Sequence, residues 1–276
     1  MTQPIQLIKF RKPEDIRSDE IIGKVLFTDN LNTKSILDFC LEKKIDHVVQ
    51  MSNLDHTHEL EVALKISQNP TEYFDFPLST LILCPEKGNL EKEFELRKVY
   101  FEIERPDQKE EMLSKMEAYL KDNTNSKSLI SDILSVADEL FTNAIFNAPF
   151  VDLESNQFPI DRKISEVSVN KEKRPYLFIS NDFERIILGC CDHYGSLNVP
   201  RLLGRVRKCY ETGVAEMINY SIGGAGVGSY LILEKSTSVY LGVQKGKRTT
   251  ICCAFPLIHN SVKRAQMPKN LHLCQI

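Results

Sequence analysis

Three short stretches of this chain place polar residues or glycines where chemistry could use them. In Glu139–Ala148 (ELFTNAIFNA), Glu139, Asn143 and Asn147 recur every four positions and so share one helical face. Two amides and a carboxylate in a row on an otherwise apolar helix are costly to bury unless something satisfies them. Asn carbonyl and carboxylate oxygens are hard ligands suited to Mg²⁺ or to holding a water molecule. The second stretch is Ser221–Leu231 (SIGGAGVGSYL), where Gly223, Gly224, Gly226 and Gly228 crowd together and open into a helix. Such a segment permits close backbone approach, and amides at a helix N-terminus suit phosphate. A Walker loop needs Lys after Gly228, where Ser229 stands, and a dinucleotide fingerprint needs a clear preceding strand. A flexible nucleotide lid is the remaining nucleotide reading. The third stretch is Ile186–Leu197 (IILGCCDHYGSL), an apolar strand that delivers Asp192 to its end, with Gly195 three residues on. An aspartate held there can accept a hydrogen bond from an exocyclic amino group, and Gly195 would let a planar base lie against the backbone.

Each stretch has a plainer reading as an exposed polar stripe, a structural turn, or a strand-ending Asp with a turn glycine. Taken in order, however, they resemble the GHKL ATPase superfamily, the Bergerat fold of gyrase, histidine kinases and anti-sigma-factor kinases. Lys245–Thr250 (KGKRTT) resembles the hairpin that ends in that family's adenine-site threonine. Residues 200–222 fit the helix and mobile lid between the Asp and Gly motifs. The similarity runs from Ser128 to Leu257, about half the chain.

The resemblance implies ATP and Mg²⁺ as cofactors. Asn143 is then the Mg²⁺ ligand, Glu139 the carboxylate that polarises the attacking water or hydroxyl, and Asn147 a further phosphate-side residue. Asp192 would take the adenine amino group with Gly195 beside the base. Gly224, Gly226, Val227 and Gly228 would border the phosphates, and Thr249 or Thr250 would reach the adenine through water. The Asp motif departs from the family's D-x-G-x-G, reading Asp192-His193-Tyr194-Gly195-Ser196, with its first glycine one residue late. The adenine geometry is therefore the less secure part of the expectation.

The elements that must position these residues form two groups. In the first half strands and helices alternate: Ile22–Thr28, His47–Met51, Leu78–Cys84 and Lys98–Glu104 read as strands, with helices at 33–44, 58–67 and 106–120. This favours an α/β layer with a mainly parallel sheet. The polar Lys121–Lys127 (KDNTNSK) marks a boundary. Beyond it come a long helix from Ser128 to Ala148 and strands at 164–169, 176–180 and 185–191. A helix at 200–210, another at 229–235 and strands at 238–244 and 249–255 complete the pattern. The expected fold is thus α/β. An N-terminal Rossmann-like or receiver-like domain (1–122) precedes a Bergerat-fold ATP-binding domain of α+β sandwich type (125–260) and a loosely ordered basic tail (261–276).

The N-terminal half resembles a response-regulator receiver only faintly. Asp29 follows the first strand with Asn30 as its sole companion, and Cys84-Pro85 stands where a phosphorylated aspartate would end a strand. A pseudo-receiver serving protein contact or dimerisation is the expectation. His58-Glu59-Leu60 superficially resembles a histidine-kinase acceptor box, but Glu61-Val62-Ala63 replaces the residues that normally follow.

The 276 residues are 42% hydrophobic and 26% charged, ordinary for a globular protein, and the formal charge of -3 gives no reason to expect nucleic acid or an anionic membrane. No apolar run approaches the roughly 18–20 residues of a membrane span, and the first residues lack a signal-peptide core. The eight cysteines contain no C-x-x-C pair, so structural thiols in a cytoplasmic protein are expected. Anti-sigma-factor-type kinases are the most similar family members. The leading expectation is phosphotransfer from Mg-ATP to a regulatory protein partner in bacterial signalling, with a homodimer allowed. The alternative is a non-catalytic nucleotide-sensing switch with a degenerate GHKL site, and an NAD-binding Rossmann enzyme is the third.

Overall fold

The computed structural model describes residues 8–10, 24–53, 56–83, 98–150, 169–214 and 227–276. Side chains alternate in direction along its strands, and most strands send an apolar set to each face. In β6 (Arg185–Asp192), Ile186, Leu188 and Cys190 face one helical layer while Ile187 faces the other. Burial on both faces is why such strands read as continuous apolar runs and not as alternating ones.

The remaining strands are β1 (Ile8–Phe10), β2 (Val25–Thr28), β3 (His47–Gln50), β4 (Val99–Glu102), β5 (Tyr176–Asn181), β7 (Ser238–Gln244), β8 (Arg248–Pro256) and β9 (Asn270–Gln275). All nine join one mixed sheet in the order β1-β2-β3-β9-β7-β8-β6-β5-β4. The pairs β1–β2, β2–β3 and β7–β9 are parallel, and the others are antiparallel. The α/β class is therefore observed.

One face is covered by α1 (Thr33–Glu42), α5 (Lys109–Asn123), α6 (Lys127–Thr142), α7 (Val199–Thr212) and α8 (Val227–Lys235). The other carries α2 (His56–Gln68), α3 (Pro70–Asp75) and α4 (Pro77–Leu81). A short α9 (Ser261–Ala265) precedes β9. Local capping starts several helices: Asn32, Ser126 and Asn198 accept from the amides of Ser35, Leu129 and Arg201. In α6 the buried set Leu129, Ile130, Ile133, Val136, Ala137, Leu140 and Phe141 keeps helical spacing and docks that helix on the sheet.

Three sequence expectations change. Residues 78–81 are helical, not a strand, because Pro77 suits a helix's first turn and an apolar run this short has no diagnostic period. The long helix beginning near Ser128 keeps α geometry to Thr142, then becomes a π turn over Asn143–Asn147 and a 3-10 turn over Ala148–Phe150. The tail is not loose: β9 lies inside the sheet between β3 and β7, with Leu271 and Leu273 on one face and His272 and Cys274 on the other. Lys263, Arg264 and Lys269 had suggested a solvated segment, yet Arg264 is buried and bonds Ile258 O, Ser128 Oγ and Asp132 Oδ2. The sheet also runs across residues 121–127, since β4 before them pairs with β5 after them. Residues 164–168 of the expected strand at 164–169 and the end of the Leu78–Cys84 run lie outside the described residues.

On the α2 face the sheet holds a fully buried polar cluster. Glu59 Oε1 accepts from Arg185 Nη1 (3.1 Å) and Ser238 Oγ (2.8 Å). Its Oε2 meets the Tyr240 hydroxyl and His272 Nε2 (3.0 Å), and His272 Nδ1 faces His47 Nδ1 at 3.3 Å. Asp182 completes the pairing of Arg185. Burial alone would raise the Glu59 carboxyl, but His272, Arg185 and Tyr240 together bring it down to about 2. Burial pushes the His47 imidazole well below its ordinary value, with His272 and Lys24 adding to that. The cluster ties α2 and β3 to β6, β7 and β9.

Candidate functional site

The side chains of Glu139, Asn143 and Asn147 form a chain of hydrogen bonds along one helical face. Asn143 Nδ2 donates to Glu139 Oε1 (2.8 Å), and Asn147 Nδ2 donates to Asn143 Oδ1. All three are half-buried. The π turn that carries both amides is closed by Ala148 N–H donating to Asn143 O, and such turns collect at functional sites. Burial raises the Glu139 carboxyl above its ordinary range, and Asp138 adds to this, while the Asn143 hydrogen bond and Lys109 oppose it. A carboxylate tuned upward in this way is suited to accepting a proton.

The first turn of α8 lies directly on that carboxylate. A Cβ at Gly228 would overlap the Glu139 carboxyl atoms, so only glycine fits while Glu139 keeps this position. Val227 opens α8 beside it and is half-buried. Gly224 and Gly226 lie outside the described residues.

Asp192 ends β6 on the α6 face of the sheet, 8% exposed. Its Oδ1 accepts from the amides of Tyr194 (2.9 Å) and Gly195 (3.4 Å), which shapes the following turn. Burial raises its carboxyl to about 6, and the amides of Tyr194 and Gly195 with the Thr249 hydroxyl pull it only partly back. Gly195 has φ +59, and a Cβ there would strike Gln244 O and the amides of Gly246 and Lys247. Its bareness thus serves close packing on the β7–β8 hairpin, where Gly246 N donates to Gly195 O (3.2 Å). Ser196 Oγ donates to Ala148 O (2.9 Å) and so fastens the Asp192 turn to the end of the Asn-bearing helix. The spacing of the motif gave no signal for that bond, because Ser196 stands where the family pattern offers glycine.

The strand register separates the two threonines. Thr249 stands opposite Asp192, and Thr250 opposite Cys191. Thr249 therefore shares the face of Asp192, whereas Thr250 points to the α2 side, where its Oγ1 donates to Cys191 Sγ at 3.6 Å. Thr249 Oγ1 is buried, makes no close hydrogen bond, and lies by the Asp192 carboxyl, which it helps to hold down. A buried hydroxyl this poorly satisfied calls for an explanation such as a ligand or a water.

Around the Asp192 turn, Lys173 lies over the Tyr194 ring at 5.1 Å, and His193 faces Tyr176 at 6.2 Å. Burial lowers the His193 imidazole, with Arg248 and Lys173 contributing. His58 is half-buried and its Nε2 faces Leu81 O at 2.9 Å, a helix-packing role. The described cysteines are free and buried, and Cys252 and Cys253 face opposite sides as strand geometry requires. A groove of about 620 Å³ runs between α5 and α6 over Leu113, Ile130 and Leu134, and it does not include Glu139, Asn143 or Asp192. Among the described residues no three His, Cys, Asp or Glu side chains converge as a metal site. No helix there is long and apolar enough to cross a membrane.

The structure thus brings together Glu139, Asn143, Asn147 and Gly228, and separately Asp192, Gly195 and Thr249, with Ser196 linking the groups. Thr250 alone among the described candidates faces the other side. No family model matches the chain, and no curated protein matches it.

Proposed function

We propose that the chain is an ATP-binding regulator of the GHKL type that transfers phosphate from Mg-ATP to a protein partner. The observation that carries this reading is the convergence of three stretches far apart in sequence. Gly228 abuts the Glu139 carboxylate, and Ser196, beside Asp192, bonds the end of the Asn143 helix. In this reading Asp192 accepts from the adenine amino group and the Thr249 hydroxyl beside it serves the same base. The half-buried row of Asn143 and Glu139 oxygens offers hard ligands of the kind that suit Mg²⁺. Asn143 would hold the ion, which when bound neutralises phosphate charge. Glu139 would take the proton of the acceptor hydroxyl, helped by its raised affinity for that proton. Asn143 holds the carboxylate from one side and the first turn of α8 from the other, which limits its freedom as base.

The β1–β3 unit with α1 and α2 serves as the receiver-like part of this regulator, offering protein contact and not phosphate acceptance. Calorimetry with Mg-ATP, Mg-ADP and NAD on the wild type and on Asn143→Ala tests the reading. Mg-ATP binding that weakens in the variant supports it. Failure to bind any adenine nucleotide removes it, and preference for NAD replaces it with a dinucleotide enzyme.

A further inference from the structure

The edge strand β4 points to a surface outside the candidate site. Ile103 N donates to Pro175 O (2.9 Å), and the register pairs Val99 with Ile179 and Phe101 with Leu177. Backbone groups of alternate residues point to opposite sides of a strand, so residues 99, 101 and 103 bond to β5. The N–H and C=O groups of Lys98, Tyr100 and Glu102 therefore point away from β5; Glu102 O accepts from Gln108 Nε2 (2.8 Å), and among the described residues no strand lies on that side. The same three residues send their side chains to the face opposite α5 and α6. Tyr100 is 57% exposed there and forms an aromatic cluster with Tyr176 (6.0 Å) and Phe178 (6.2 Å).

We propose that β4 pairs antiparallel with β4 of a second copy of this chain, about a two-fold axis at Tyr100. An edge that presents outward N–H and C=O groups is a template for such pairing. The register is chosen by the ring stack together with charge. Centring on Tyr100 sets Lys98 against Glu102 of the second copy, twice by symmetry, and stacks the two Tyr100 rings side by side. Moving the axis one residue sets Tyr100 against Lys98 or Glu102 and loses the ring stack, and moving it two sets Lys98 against Lys98, or Glu102 against Glu102. Directly opposed like charges destabilise a strand pair. Glu102 also receives Arg174 Nη1 of its own chain at 3.2 Å, which fixes its carboxylate at the outer rim. The dimer continues the nine-stranded sheet into its copy and leaves Asp192 and Glu139 free, since both lie on the α6 face.

Sedimentation velocity on the full chain across a concentration series tests this, with circular dichroism to confirm folding. Wild type sediments as a dimer. Tyr100→Pro removes an outward N–H that β5 does not use, so it keeps the spectrum and yields monomer. Lys98→Glu and Glu102→Lys each weaken the dimer about tenfold, and the double exchange restores it. Should Tyr100→Pro fail to fold, the charge exchange decides alone. A monomeric wild type, or a dimer indifferent to the charge exchange, overturns the proposal.

Discussion

Asp192 and Thr249 face each other across the β6–β8 ladder, one carboxyl raised to about 6 and one buried hydroxyl that makes no close hydrogen bond. Each is an unfavourable feature of the free protein, and both are on the same side of the sheet. A ligand that accepts from Thr249 and donates to Asp192 relieves both at once.

Thr249→Val and Thr250→Val therefore separate cleanly. Losing a buried hydroxyl that makes no close hydrogen bond changes stability by no more than about 1 kcal/mol. Thr249→Val nonetheless weakens Mg-ATP roughly three- to tenfold, as loss of one hydrogen bond does. Thr250→Val leaves nucleotide affinity alone. Thermal melts with and without Mg-ATP report both, and equal effects at the two positions refute the assignment of faces.

Acid should weaken nucleotide binding through Asp192. The folded carboxyl holds its proton up to about pH 6, whereas an exposed one releases it near 4. An amino group bonds the ionised form, so affinity declines as pH falls through about 6. The sign for stability is the reverse of the usual Asp case: the free protein loses stability as pH rises from about 4 to 6. Asp192→Asn raises the melting temperature at pH 8 more than at pH 4 and flattens the pH profile of binding.

Glu139→Ala should abolish phosphotransfer while keeping most Mg-ATP affinity. Gly228→Ala should act on the same atom from the opposite side, because its Cβ takes the space of the carboxylate. Single-turnover transfer falls in both variants, and nucleotide binding by calorimetry falls little in the first. A Gly228→Ala protein with unchanged transfer would show that the contact is incidental.

The Glu59 cluster predicts acid sensitivity in two windows. His47 is held neutral in the fold, so its contribution is present above about pH 6.5 and fades as pH drops below it. Glu59, held down to about 2, contributes above about pH 4.5 and is lost on the way to 2. Urea melts should show His47→Gln removing the slope below pH 6.5. Glu59→Gln leaves Arg185 short of a counter-charge and costs about 3 kcal/mol at neutral pH.

Much of the C-terminal half was legible because its signals are local. Strands β5 to β8 and helices α6 to α8 sit where alternation, caps and glycines place them, and the four-residue spacing of Glu139, Asn143 and Asn147 put them on one face. What escaped depends on distant partners. Glu59 reads as an ordinary helix acid, since Arg185 is 126 residues away. Ser196 reads as a motif defect until its bond to Ala148 is seen. The segment around β9 carries too much charge nearby to suggest a central strand. Thr249 and Thr250 could be told apart only by register, which a single sequence does not carry.

The position of β9 also bears on how the chain is made. Among the described strands it is translated last, and among them it alone bridges β3 and β7. Until it emerges from the ribosome, β3 keeps a bare inner edge, and β7 lacks one of its two neighbours. Closure joins His47 to His272 across 225 residues, a non-local step that loop entropy makes slow. From the time β7 is made until β9 joins it, both edges stay open, the state in which chaperones bind and misassembly begins.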